Sequence, residues 1–117
     1  MQTQAAVLNQ PIGPFVIETI DVGEPQAGEI RVAIKAVGIC HTDLVVASGA
    51  MGLQFPAVLG HEGAGIVDAV GPGVTSVKPG DKVLLTFNSC GGCRHCHHDQ
   101  PAYCQSFVPL KIGRAHV

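Results

Sequence analysis

The sequence predicts a mainly β protein, an irregular all-β barrel whose sites sit in the loops that follow the strands. Fifteen glycines and eight prolines punctuate 117 residues, which favours short strands and turns over helices. Between these breakers lie runs rich in Val and Ile. One of them, residues 29–37, sets Ile30, Val32, Ile34 and Ala36 against Arg31 and Lys35, the period of a half-buried strand. No G-x-G-x-x-G fingerprint follows a strand and no βαβ unit is apparent, so a dinucleotide-binding domain is not expected in this chain.

Taken in order, residues 3–9 and 15–22 read as two strands around a turn from Asn9 to Gly13, because Val7, Phe15, Ile17 and Ile20 favour strand. Gly23, Glu24 and Pro25 then break the chain. The strand at 29–37 ends at Gly38, just before Ile39, Cys40, His41, Thr42 and Asp43. Thr42 or Asp43 is expected to cap a short helix running to about Ser48, which Gly49 closes. Phe55 and Pro56 make an extended approach to Gly60, His61 and Glu62. A strand at 65–70 leads to a turn at Gly71, Pro72 and Gly73. Lys78, Pro79, Gly80 and Asp81 form a further turn, and a strand at 82–87 leads into a cysteine-rich lobe at 89–105.

Composition narrows the function classes. Hydrophobic residues make up 46% and charged residues 14%, which suits one soluble globular domain. The core must be aliphatic, since there is no Trp and one Tyr. A net charge of −2 with 7 Lys plus Arg argues against a nucleic-acid or membrane surface. No apolar run approaches a membrane span. No signal peptide is recognised, so a reducing cytoplasmic setting is expected.

The lobe carries Cys90, Cys93, Cys96 and Cys104, a C-x2-C-x2-C-x7-C array with Gly91 and Gly92 easing a tight fold. Four thiolates suit a tetrahedral structural zinc. Disulfides, an iron–sulfur cluster and a redox C-x-x-C are the alternatives. The iron–sulfur spacing ends in x3-C-P, whereas here the last gap is seven and Gln105 follows. His95, His97 and His98 are potential spare ligands, though solvated histidines are the commoner case. Cys40 is left over, and with His61 it makes a second pair of zinc-type ligands, each after a glycine-marked strand end. Taken singly, a lone Cys is usually a small core residue and a lone His usually satisfies a local hydrogen bond.

The residues around them add a resemblance. Gly60, His61, Glu62, Gly65, Gly71 and Val74, spaced G-H-E-x2-G-x5-G-x2-V, resemble the signature of zinc-containing alcohol dehydrogenases of the medium-chain family. Gly38 to Asp43 looks like that family's first catalytic ligand loop, and the four-cysteine array looks like its structural zinc lobe. The likeness runs from about Gln4 to Phe107. Within the family, residues 83–90 and the His41 variant look most like aryl-alcohol (benzyl-alcohol) dehydrogenases.

The resemblance implies a GroES-like irregular β-barrel with a zinc-binding lobe, the N-terminal part of a catalytic domain over residues 1–110. It implies that Cys40 and His61 bind a catalytic zinc, with Glu62 close to the metal and Asp43 fixing the tautomer of His61. Thr42 and His41 would relay the alcohol proton, with His41 also near the cofactor pyrophosphate, and Met51 and Thr86 would face the substrate. Zinc and NAD would be the cofactors, NAD being held mainly by a domain outside this chain. The family's third catalytic ligand, a later cysteine, has no counterpart here, so this chain alone is expected to be inactive. A small-molecule alcohol or aldehyde is the expected partner, and the full-length parent is expected to be a homo-oligomer. Residues 111–117 read as a non-native tail resembling translated sequencing-adapter DNA. The alternative reading of the whole is a non-catalytic zinc-binding β module.

Overall fold

The computed structural model describes residues 1–106. The proposed boundary at 110 and the tail at 111–117 lie outside the described residues.

Two three-stranded sheets carry the chain. The first has the order β2-β1-β4, built from β1 (Gln2–Leu8), β2 (Phe15–Asp21) and β4 (Ala57–Val58). β1 is its central strand, antiparallel to both neighbours, with Leu8 opposite Phe15 on one side and Ala57 on the other. That position buries Val7 and Leu8 on successive residues, and Leu8 has no exposed surface. The loop after β1 is tied down where the Ile12 N–H donates to the Ala47 carbonyl at 2.8 Å.

The second sheet has the order β3-β5-β6, from β3 (Ile30–Val37), β5 (Gly63–Val70) and β6 (Lys82–Leu84). Val32 and Val67 are its buried centre. Gly65 is required here, since a side chain would run into the Ala33 carbonyl and the Val32 side chain. On the outer side Arg31 donates to Asp68 at 2.6 Å and to Glu24 at 2.8 Å.

Several boundaries move from the expected ones. β5 begins two residues early, at Gly63, and β6 ends at Leu84 instead of Phe87. The alternation on β3 holds at Val32 but gives out from Ile34, which is 45% exposed. The pairing with β5 shifts between Arg31 and Val32 and again between Ile34 and Ala36. An irregularity of this kind breaks the strict two-residue period. The helix α1 (His41–Ala47) is capped at Cys40, not at Thr42 or Asp43. Asp43 acts from the third helical position, where its Oδ2 accepts the Cys40 N–H at 3.0 Å. Gly49 closes the helix with φ +84°, as a left-handed terminator should. The Phe55–Pro56 bond is cis.

The lobe follows β6 and holds one short helix, α2 (Arg94–His97), and a 3-10 turn (Pro101–Tyr103). Among the described residues no helix is long and apolar enough to cross a membrane.

Candidate metal centres

The pairing of β3 with β5 builds the first centre. Val37 lies opposite Gly63 at the end of the ladder. One step further the Gly38 N–H donates to the Glu62 carbonyl at 3.0 Å, so the loop leaving β3 runs beside the turn entering β5. Residues 20 or more apart in sequence thereby emerge side by side. Cys40, His61 and Glu62 each place a ligand atom within 4.8 Å of the others. Gly38 is part of the same construction. The Glu62 carboxylate lies against its Cα, where any side chain would collide with it.

Asp43 links the helix cap to this cluster. One carboxylate oxygen takes the Cys40 N–H, and the other stands 3.6 Å from His61 Nδ1. That separation is an ion-pair approach, longer than a hydrogen bond. The opposite ring nitrogen, Nε2, lies 3.9 Å from Glu62 Oε1. The side chains of His61 and Asp43 are 13% and 14% exposed, so both are largely shielded from water. The Thr42 hydroxyl is 3.6 Å from Cys40 Sγ. His41 starts the helix and is exposed, Met51 is half-buried in the turn after α1, and Thr86 is exposed just past β6. Phe87, which the sequence reading passed over, stacks on the His61 ring with centroids 4.1 Å apart and planes 15° apart.

The second centre is the lobe. Gly91, at φ +69°, turns the chain after Cys90, and α2 starts directly after Cys93. Cys96 follows within that helix, and the 3-10 turn returns the chain to a buried Cys104. All four sulfurs lie within 4.8 Å of one another. Cys93 to Cys96 is 3.6 Å and Cys90 to Cys96 is 3.9 Å. A zinc with four sulfurs at about 2.3 Å has tetrahedral edges of about 3.8 Å, so these spacings fit one ion. Backbone N–H groups already point at the sulfurs, from Cys93 to Cys90 and from Cys90 to Cys104, each at 3.3 Å. The N–H groups of Cys96 and then Gln105 hold the Cys93 thiol down at about 6. The Cys90 N–H lowers Cys104 likewise, while desolvation and then Cys93 push Cys96 up to about 11. Four sulfurs gathered this closely suit a cation that would bind them as thiolates. No disulfide joins them. His95 packs at 6.4 Å from Tyr103, and His98 Nδ1 meets the Arg94 carbonyl at 2.6 Å. None of the three histidines belongs to the sulfur cluster.

For the Cys40 centre the donor set is also apt. Sulfur, imidazole and carboxylate are the three ligand types zinc takes.

The alcohol dehydrogenase GroES-like domain model matches residues 26–115, and the chain belongs to that family, the zinc-containing medium-chain alcohol dehydrogenases. Its relatives are oxidoreductases. The geraniol dehydrogenase of Castellaniella defragrans is 47% identical over 115 residues, which cover 98% of this chain and 31% of the relative. An alcohol dehydrogenase zinc-binding domain protein from Burkholderia ambifaria superposes with a TM-score of 0.91 at 44% identity, over 94% of this chain and 30% of that one. Benzyl alcohol dehydrogenase from Acinetobacter calcoaceticus does so with a TM-score of 0.91 at 38% identity, over 98% and 32%. The chain thus spans about a third of the length of these relatives.

Proposed function

We propose that this chain is the metal-binding part of a zinc- and NAD-dependent alcohol dehydrogenase that oxidises primary alcohols, aryl and benzyl ones foremost, to aldehydes by hydride transfer. The observation that carries the reading is the convergence of Cys40, His61 and Glu62 within 4.8 Å at the paired ends of β3 and β5. Relatives named for geraniol and for benzyl alcohol support a primary alcohol whose carbinol carbon adjoins a double bond or an aromatic ring.

In this reading Cys40 and His61 hold the catalytic zinc and Glu62 stands by as a nearby carboxylate. When bound, zinc supplies Lewis-acid polarisation of the alcohol oxygen and NAD supplies the hydride acceptor. Asp43 keeps Nδ1 of His61 turned away from the metal side, a role that commonly governs ligand basicity. Thr42 takes the alcohol proton and His41, exposed at the start of α1, passes it to solvent and adjoins the cofactor. Met51 and Thr86 line the substrate side, and a small Thr86 leaves room for a ring. Cys90, Cys93, Cys96 and Cys104 hold a structural zinc. The full-length protein works in the cytoplasm as a homo-oligomer.

Grafting residues 1–110 onto the remainder of a geraniol dehydrogenase relative tests this. NAD reduction is expected with benzyl alcohol and weaker reduction with ethanol. His61→Ala is expected to remove it while the lobe keeps its zinc. A graft that prefers ethanol removes the aryl assignment. A His61→Ala graft as active as its parent removes the catalytic site.

A further inference from the structure

The ring of His61 meets two partners at right angles to one another in purpose. Asp43 Oδ1 approaches Nδ1 at 3.6 Å and marks which edge of the ring faces the helix cap. Phe87 covers one ring face, 4.1 Å away and within 15° of parallel. At 3.6 Å the Asp43 carboxylate is beyond hydrogen-bond reach of Nδ1 and limits rotation about the Cβ–Cγ bond only loosely, because that torsion is broad and roughly two-fold. A nearly parallel ring against its face holds the imidazole plane, and Asp43 at Nδ1 then selects which edge faces the helix cap. A histidine serves as a metal ligand only when its lone pair, which lies in the ring plane, is aimed at the ion.

From this geometry we infer that Phe87 is a positioning residue for His61, holding the imidazole plane so that Nδ1 stays toward Asp43 and Nε2 stays toward Glu62. The inference rests on the reading of Cys40, His61 and Glu62 as a metal site. It assigns a purpose to the early end of β6. The strand stops at Leu84. The Leu85 N–H still donates to the Gly63 carbonyl at 2.7 Å, two residues from His61. The chain is therefore anchored beside β5 and then released from the ladder, which allows Phe87 to reach the ring.

Cobalt titration of the whole chain, with ring 15N NMR of the metal-free protein, tests the inference. Two variants are compared with the parent, Phe87→Leu and Phe87→Tyr. In the parent, the lobe is expected to give the charge-transfer absorption of a cobalt tetrathiolate, and the second centre a separate, weaker-binding spectrum. Phe87→Leu is expected to weaken cobalt at the second centre by roughly 3- to 10-fold, the range of an aromatic pair, and to alter its visible bands. The lobe absorption should stay unchanged, and a parent-like β-sheet circular dichroism spectrum and melting temperature show that the variant is folded. Phe87→Tyr, which keeps a ring, is expected to restore both. In the metal-free protein the parent should hold His61 in one tautomer, and Phe87→Leu should mix the two. Parent-like cobalt affinity and a parent-like tautomer in Phe87→Leu would overturn the inference. If the parent takes no second cobalt, the metal-site reading fails, and the tautomer comparison alone decides whether Phe87 orients His61.

Discussion

In the lobe, four sulfurs that could hold a metal ion come from residues 90–104, and the backbone between them needs only Gly91, one turn of α2 and a 3-10 turn to gather them. The other centre takes Cys40 from the loop after β3 and His61 with Glu62 from the turn before β5. Those residues meet only because the antiparallel ladder carries Val37 opposite Gly63 and the Gly38–Glu62 bond continues it. The lobe is thus local, whereas the Cys40 centre is borrowed from tertiary structure. Ligand cost follows from this. A local site orders a short stretch of chain on binding, and metal binding of that kind is worth about 10–16 kcal/mol in small zinc peptides. A site assembled by a sheet inherits the stability of the sheet and depends on each support beneath it.

The largest effect should come from breaking the local site. Cys93→Ser removes the sulfur that lies 3.6 Å from Cys96, so metal analysis of the purified variant should find the lobe zinc gone. The Cys40 centre should persist, because none of its ligands comes from the lobe. A synthetic peptide of residues 89–106 sharpens the same contrast. It should take up one equivalent of cobalt with a tetrathiolate spectrum, and a featureless titration would show that the barrel is needed after all.

Next come the supports of the borrowed site. Asp43→Asn keeps the shape but weakens the interaction with His61 Nδ1, and Gly38→Ala drives a methyl group into the Glu62 carboxylate. Asp43→Asn should weaken metal at the Cys40 centre by about 10- to 100-fold, the usual range for groups one step behind the ligands, and Gly38→Ala should weaken it less, because the Glu62 side chain can swing aside. Competition with a chromophoric chelator reads this directly, and the lobe serves as the unchanged reference.

The smallest effect belongs to a turn that serves neither site. The Asp81 carboxyl is lowered from its ordinary value, first by the Lys78 N–H at 3.0 Å and then by the Lys78 ammonium. A carboxyl with a lowered pKa stabilises the fold above its ordinary value of 3.8, and that contribution is lost as pH falls through the lowered one. Asp81→Asn should therefore lower the melting temperature slightly at neutral pH, and the difference should vanish in acid. A difference that persists in acid would point to a steric cause.

Legibility in the sequence divides along the same line. The lobe is readable from spacing, since its four cysteines are neighbours in the chain and thiol chemistry leaves few alternatives. Cys40 and His61 are individually ambiguous, and only the surrounding glycine and Glu62 pattern links them in the sequence. The strands are readable as Val- and Ile-rich runs between breakers, but not where they stop. The shift in pairing along β3 depends on β5, and β6 ends where Leu85 is caught by Gly63. Two features have no one-dimensional signal. Gly38 looks like a strand end, although its missing side chain leaves room for the Glu62 carboxylate. Phe87 looks like one more strand residue, although it stacks on His61. The helix cap shows the same limit. A threonine and an aspartate both suit a cap by residue type, yet Asp43 works from inside the helix and reaches back to Cys40.

The most direct test of the two-centre account is a stepwise chelator titration of the zinc-loaded chain, with zinc release followed against chelator concentration. Release should come in two phases, the first from the Cys40 centre at low chelator and the second from the lobe at much higher chelator. His61→Ala should abolish the first phase and leave the second in place. A single phase, or two phases that His61→Ala leaves untouched, would contradict the account.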